Sequence, residues 1–109
     1  MLVLGACSSQ PAMPVEFLQF SSCPNSPALR ARLDAATTDM PIAITPVDLE
    51  SLAPDDPRLR WGAPTILVKG ADLFGQPPAD APALSCRAFP NGLPSIETLR
   101  EAMARHASP

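Results

Sequence analysis

Proline constrains this chain more than any other residue, because 15 of its 109 positions carry it. Each proline fixes φ and removes a backbone donor, so none can sit inside a helix or a central strand without interrupting it. The chain must fold as short elements joined by several fixed loops. Val15 to Phe20 is a mostly apolar run and is read as a buried, central strand. Ser21 to Pro27 breaks it, and a helix follows to Ala36. The prolines set that helix's expected start: Ser26 (or Asn25) as N-cap, with Pro27 in the first helical position. Leu29, Leu33 and Ala36 form its apolar face, with Arg30, Arg32 and Asp34 turned outward.

The remaining punctuation gives the other elements. Pro41 to Thr45 is a second strand that runs on toward Leu49. Asp55-Asp56-Pro57 caps a short helix through Trp61, and Thr65 to Lys69 is an apolar strand ending at Gly70. Residues 71–83 hold three prolines and read as a loop, and Leu84 to Phe89 alternates as a returning strand. Ser95 caps a last helix with Ile96, Leu99 and Met103 on one face. The expected fold is α/β: a four-stranded mixed sheet with flanking helices, in the order strand, helix, strand, helix, strand, strand, helix. The first two strands should pair in parallel. The last two should form an antiparallel hairpin with a long loop.

At this length the chain holds one domain, taken as residues 15–109, after an N-terminal tail of residues 1–14. The net charge of −3, a single lysine and scattered arginines argue against a nucleic-acid partner. No apolar stretch nears the roughly 20 residues of a membrane helix. Leu4-Gly5-Ala6-Cys7 looks like a lipoprotein acylation box with Cys7 as the lipidated residue, but the segment before it is too short and lacks a basic residue. As written, the chain is expected in the cytoplasm. A lipid anchor at the membrane is the alternative if a signal sequence precedes Met1.

Three cysteines, Cys7, Cys23 and Cys86, cannot all pair within one molecule, and their spacing fits no common zinc pattern. Free thiols are expected. Cys23 stands out because it follows a strand and precedes a helix, where the positive end of the helix dipole favours thiolate. A purely structural Cys23 is the plain alternative. No cofactor motif is present. His106 is read as a C-terminal helix residue, and Asp55 and Asp56 as a helix start rather than paired acids.

The element order, a cysteine after the first strand, and Gly62-Ala63-Pro64-Thr65 before the third together resemble the minimal thioredoxin fold. The set Ser22-Cys23-Pro24-Asn25, Gly62 to Val68, Gly70 to Phe74 and Leu84 to Arg87 is similar to a family of small bacterial thioredoxin-like proteins often labelled alkylmercury lyase-like. The resemblance implies that Cys23 is the attacking cysteine, Pro24 shapes its loop, and Pro64 is a cis-proline. It also implies that the backbone beside Pro64, at Ala63, receives an extended substrate. Trp61 is read from its position as a core or rim aromatic, with a substrate platform beside Pro64 as the alternative.

Ser26 stands where a dithiol enzyme of this kind has its resolving cysteine. A hydroxyl cannot close a disulfide, so a monothiol route resolved by an external thiol is expected. Cys86 should lie one strand further away, beyond the roughly 7 Å between Cα atoms that a disulfide spans, unless the 71–83 loop reshapes that edge. Its expected role is burial as a small apolar residue. The function expected is thiol–disulfide exchange or soft-electrophile chemistry at Cys23, with a thiol or disulfide as partner. The alternatives are a non-enzymatic site for mercury, copper(I) or a peptide, with Cys23 and Cys86 as conditional metal ligands, and a lyase using Cys23, Cys86 and Asp72.

Overall fold

In a computed structural model, residues 12–107 are described; Cys7 and most of the N-terminal tail lie outside them. Strand β1 (Met13–Gln19) leads to helix α1 (Asn25–Ala36), β2 (Ile42–Asp48), β3 (Thr65–Val68), β4 (Ala71–Asp72) and helix α2 (Ile96–Ala107). Two short 3-10 turns, Leu49–Ser51 and Pro57–Arg60, fill the span between β2 and β3 where one short helix was expected. The sheet order is β2-β1-β3-β4. β1 pairs with β2 in parallel and with β3 antiparallel, and β3 pairs with β4 antiparallel. The fold is a small α/β domain with a four-stranded mixed sheet and two helices.

β1 is central because it is apolar on both faces. Val15 and Phe17 point toward one layer with Leu29, Leu33, Ile66, Leu99 and Met103. Leu18 points the other way, toward Val47, Leu49, Leu59 and Leu67. Alternation along the strand sends successive side chains to opposite layers. The first layer is covered by both helices. The second is covered by the 3-10 turns. Phe17 and Leu18 are each 0 % exposed, so truncating either to alanine leaves a cavity and costs about 3–5 kcal/mol.

Three predicted details are corrected. First, α1 begins at Asn25 with Pro24 as N-cap, and no side chain caps it. Pro27 is the third helical residue, and it fits because the first four N–H groups of a helix have no intrahelical partner. Ser26 is therefore a buried first-turn residue rather than the cap. Second, Leu84 to Phe89 is not a returning strand of the sheet. β3 turns through Lys69 and Gly70, both at positive φ, directly into β4. This tight turn takes the edge that the later segment was expected to occupy. Third, Ile96 is exposed, and Ala102 joins Leu99 and Met103 on the buried face of α2. Leu29, Leu33 and Ala36 are buried as read from the sequence.

The helices and turns are fixed by polar links at their ends. Arg100 bonds the Ala36 carbonyl and the Asp39 carboxylate, tying α2 to the end of α1. Arg32 donates to the carbonyls of Leu93 and Pro94, just before α2. Ser95 Oγ accepts from the Thr98 N–H, as its capping role predicts. Asp56 accepts from the Arg58 N–H at 2.9 Å, and Arg58 reaches across to Glu16 on β1. Among the described residues, no helix is long and apolar enough to cross a membrane.

Candidate functional site

The site forms where three segments meet: the β1–α1 turn, the loop before β3 and the loop after β4. Polar Ser21 and Ser22 end β1 in a turn closed by the Cys23 N–H donating to the Phe20 carbonyl, at 2.9 Å. Cys23 then stands directly before Pro24, the N-cap of α1. Its carbonyl accepts the Ser26 N–H at 3.1 Å. Cys23 is thus closer to the helix start than expected, which strengthens the dipole argument. It is also only 1 % exposed, and burial opposes charge.

Cys86 is not distant from Cys23. The two form a disulfide, with Cα atoms 5.6 Å apart and the residues 63 positions apart in the chain. The expectation of separation failed because it placed Cys86 on a strand beyond β3. Instead, the loop after β4 doubles back across the residues preceding β3. Cys86 is also exposed rather than buried as a small apolar residue.

The loop before β3 explains the return path. Gly62 has φ +76°, and the Ala63–Pro64 peptide is cis, as the resemblance implied. Ala63 bridges Cys86 in parallel: its N–H donates to the Ser85 carbonyl at 3.0 Å, and its carbonyl accepts the Arg87 N–H at 2.7 Å. The Ala63 backbone expected to receive a substrate is therefore occupied by the protein's own Ser85 to Arg87. A side chain at position 62 would collide with that segment, because a Cβ there lies 2.8 Å from Ser85 Oγ and 3.2 Å from the Ser85 carbonyl.

Trp61 is half-buried, and its indole N–H donates to the Gln76 carbonyl at 3.3 Å. Beside it, Arg60 Nε donates to the Ala79 carbonyl at 2.6 Å, and the Ala79 N–H returns a bond to the Arg60 carbonyl at 2.7 Å. These bonds hold the proline-rich loop against the segment that leads to Pro64. The result is a hollow of about 470 Å³ whose wall includes Arg60, Trp61, Gln76, Cys86 and Arg87.

Arg87, the residue after Cys86, carries a buried ion pair. Its guanidinium donates to Asp72 on β4, whose side chain is 1 % exposed. The other Asp72 oxygen accepts the N–H groups of Phe74 and Gln76. Arg87 lies over the Phe89 ring, 5.2 Å from its centroid. Among the described residues, two buried side-chain polar atoms have no partner: Arg87 Nε and Ser26 Oγ. Among the described residues, no group of three or more His, Cys, Asp or Glu is placed to hold a metal ion.

Of the residues singled out from sequence, Cys23, Pro24, Ala63, Pro64 and Cys86 gather at one place, with Trp61 at its rim. Ser26 lies beside them in the first turn of α1. Arg60, Ser85 and Arg87 were missed. Their only sequence signal was adjacency to Trp61 and Cys86. In comparison with known proteins, the chain matched no family model, no curated sequence and no solved structure.

Proposed function

We propose that the chain is a thioredoxin-like thiol–disulfide protein, akin to the small bacterial family labelled alkylmercury lyase-like, with the Cys23–Cys86 pair as its redox unit. The observation that supports this reading is the bond between a buried cysteine at a helix start and an exposed cysteine beside Pro64. An incoming thiolate meets the exposed sulfur of Cys86. The Cys23–Cys86 bond breaks, and its electron pair leaves on Cys23, beside the first-turn N–H groups of α1. Cys86 then carries the mixed disulfide, and a second external thiolate completes the reduction; attack by Cys23 would only reverse the step. In the opposite direction, when reduced Cys86 attacks a substrate disulfide, Cys23 resolves the mixed disulfide and no external resolving thiol is needed.

Equilibration with buffers of defined thiol–disulfide ratio tests this. The native protein should shuttle between oxidised and reduced forms while keeping its helical circular dichroism, and both Cys23→Ser and Cys86→Ser should abolish the exchange. A disulfide that opens only when the whole protein unfolds would overturn the proposal and leave a structural staple.

A second reading rests on the same pair. Once reduced, Cys23 and Cys86 offer two sulfurs within reach of one soft ion such as mercury(II) or copper(I). Stoichiometric binding lost in both serine variants, without turnover, is the expected result for that role. The lyase reading would also require an acid. Asp72 instead accepts from Arg87, Phe74 and Gln76, which makes it a poor source of a proton.

A further inference from the structure

The hollow beside Cys86 has a chemistry that the redox pair alone does not require. Its wall includes Arg60 and Arg87 and no aspartate or glutamate. Arg60 lies within ion-pair distance of no carboxylate among the described residues, and only its Nε is engaged, by the Ala79 carbonyl. Arg87 is neutralised by Asp72 and its Nε is buried out of solvent reach, so the uncommitted positive charge of the hollow is that of Arg60. Cys86 lies in the same wall, and Cys23 does not. A molecule in the hollow therefore meets the Cys86 side of the pair.

We infer that this hollow is a substrate site for a small thiol bearing a carboxylate. Its carboxylate is held by Arg60, and its sulfur is delivered to Cys86. The inference rests on the thiol–disulfide reading above and adds the substrate class. The step balances: the substrate thiolate bonds to Cys86 Sγ, the Cys23–Cys86 bond breaks, and Cys23 departs as thiolate. A second substrate thiolate then attacks the substrate sulfur of the mixed disulfide. The products are a substrate disulfide and reduced Cys86, and the small thiol is the reductant throughout. Trp61 forms one side of the hollow and offers its ring face to the carbon chain between sulfur and carboxylate. The whole chain carries a charge of −3, so a general field would repel an acidic thiol. Any preference for one must be local.

The test compares mercaptoacetate with uncharged 2-mercaptoethanol as reductants of the oxidised protein. The rate of disulfide opening is followed by quenched alkylation and mass spectrometry. Rates are taken per thiolate and corrected for intrinsic basicity. The acidic thiol should react about fivefold faster at low salt, as one favourable charged contact allows. The ratio should fall toward unity at about 0.5 M salt, where screening acts within a few ångströms. It should fall likewise in Arg60→Gln. The salt series needs no variant, so a misfolded R60Q would not remove the test. Equal corrected rates at low salt would overturn the substrate class and leave the redox pair standing. If neither thiol opens the disulfide in the folded protein, the redox reading falls, and this inference falls with it.

Discussion

Ala63 and Cys86 face each other in a parallel bridge that closes with two backbone hydrogen bonds, one to Ser85 and one from Arg87. That bridge places Cys86 over Cys23. It is too short to be a strand, so the disulfide and the bridge support each other. Neither the proline-rich loop nor the Ser85 to Arg87 segment has other regular structure to hold it.

Removing the disulfide should therefore cost stability and loosen this segment together. In the chain-entropy account, releasing a 63-residue closure costs about 4 kcal/mol. Cys86→Ser should shift the denaturation midpoint down accordingly, measured against the oxidised protein. Hydrogen exchange supplies a local check. The amides of Ala63 and Arg87 should lose protection in the variant, while those of Phe17 and Leu18 on β1 keep it.

Gly62 should be the least replaceable glycine of those with positive φ. Gly62→Ala would meet both the left-handed backbone penalty, about 1 kcal/mol, and the Ser85 contacts at 2.8 and 3.2 Å. Gly92→Ala meets the backbone penalty alone, because nothing lies within 4 Å of its added carbon. Urea denaturation should show Gly62→Ala costing at least about 1 kcal/mol more than Gly92→Ala. Equal losses would mean that Ser85 yields freely. Adding Ser85→Gly to Gly62→Ala would then restore nothing.

Most of the elements were legible because their signals are local. β1 is apolar on both faces and was read within two residues of its start. Ser95 and Asp56 cap the turns their positions announce. The site was half legible: Cys23, Pro24 and Pro64 sit at breaks that a single stretch of sequence reveals. Cys86 was misplaced because alternation in Leu84 to Phe89 looks like a strand, whereas β4 had already been made by two residues after Gly70. A two-residue strand carries too little pattern to read. Arg87 and Asp72 are 15 residues apart, and nothing local marks them as a pair. Ser26 was read as a cap by its chemistry, but the helix began at Asn25 and drew it inside.

The Asp72–Arg87 pair should be expensive to break. The side chains are 1 % and 10 % exposed, and Asp72 also fixes the Phe74 and Gln76 amides. Asp72→Asn would leave the guanidinium buried without its counter-charge, a change that costs about 3–5 kcal/mol. The double variant Asp72→Asn with Arg87→Met should recover part of that loss, because it removes the stranded charge. Stability of both, by thermal and urea denaturation, checks the coupling. Additive losses would show that the pair contributes only through the Asp72–amide bonds.

Acid should weaken the fold through two aspartates in particular. Asp39 is held below the usual carboxylate range, first by its hydrogen bonds from Arg100 and then by its own backbone N–H. Asp56 is held down in the same way, first by the Arg58 side chain and then by the Arg58 amide. A carboxylate whose folded pKa is depressed contributes stability that is present above its unfolded value, about 3.9, and is lost as pH falls through the folded one. Stability should therefore decline with falling pH across and below that value. Asp39 is exposed and Asp56 is half-buried at the edge of the fold, and their partners are solvent-accessible, so each effect is small and screened by salt. Asp39→Asn removes one contributor: it should lower stability at pH 7 and flatten the decline below pH 4. Urea titrations of both proteins at pH 7, 4 and 3 read this directly. An unchanged slope in the variant would show that the Arg100 bond joining α2 to the end of α1 contributes nothing to the acid response.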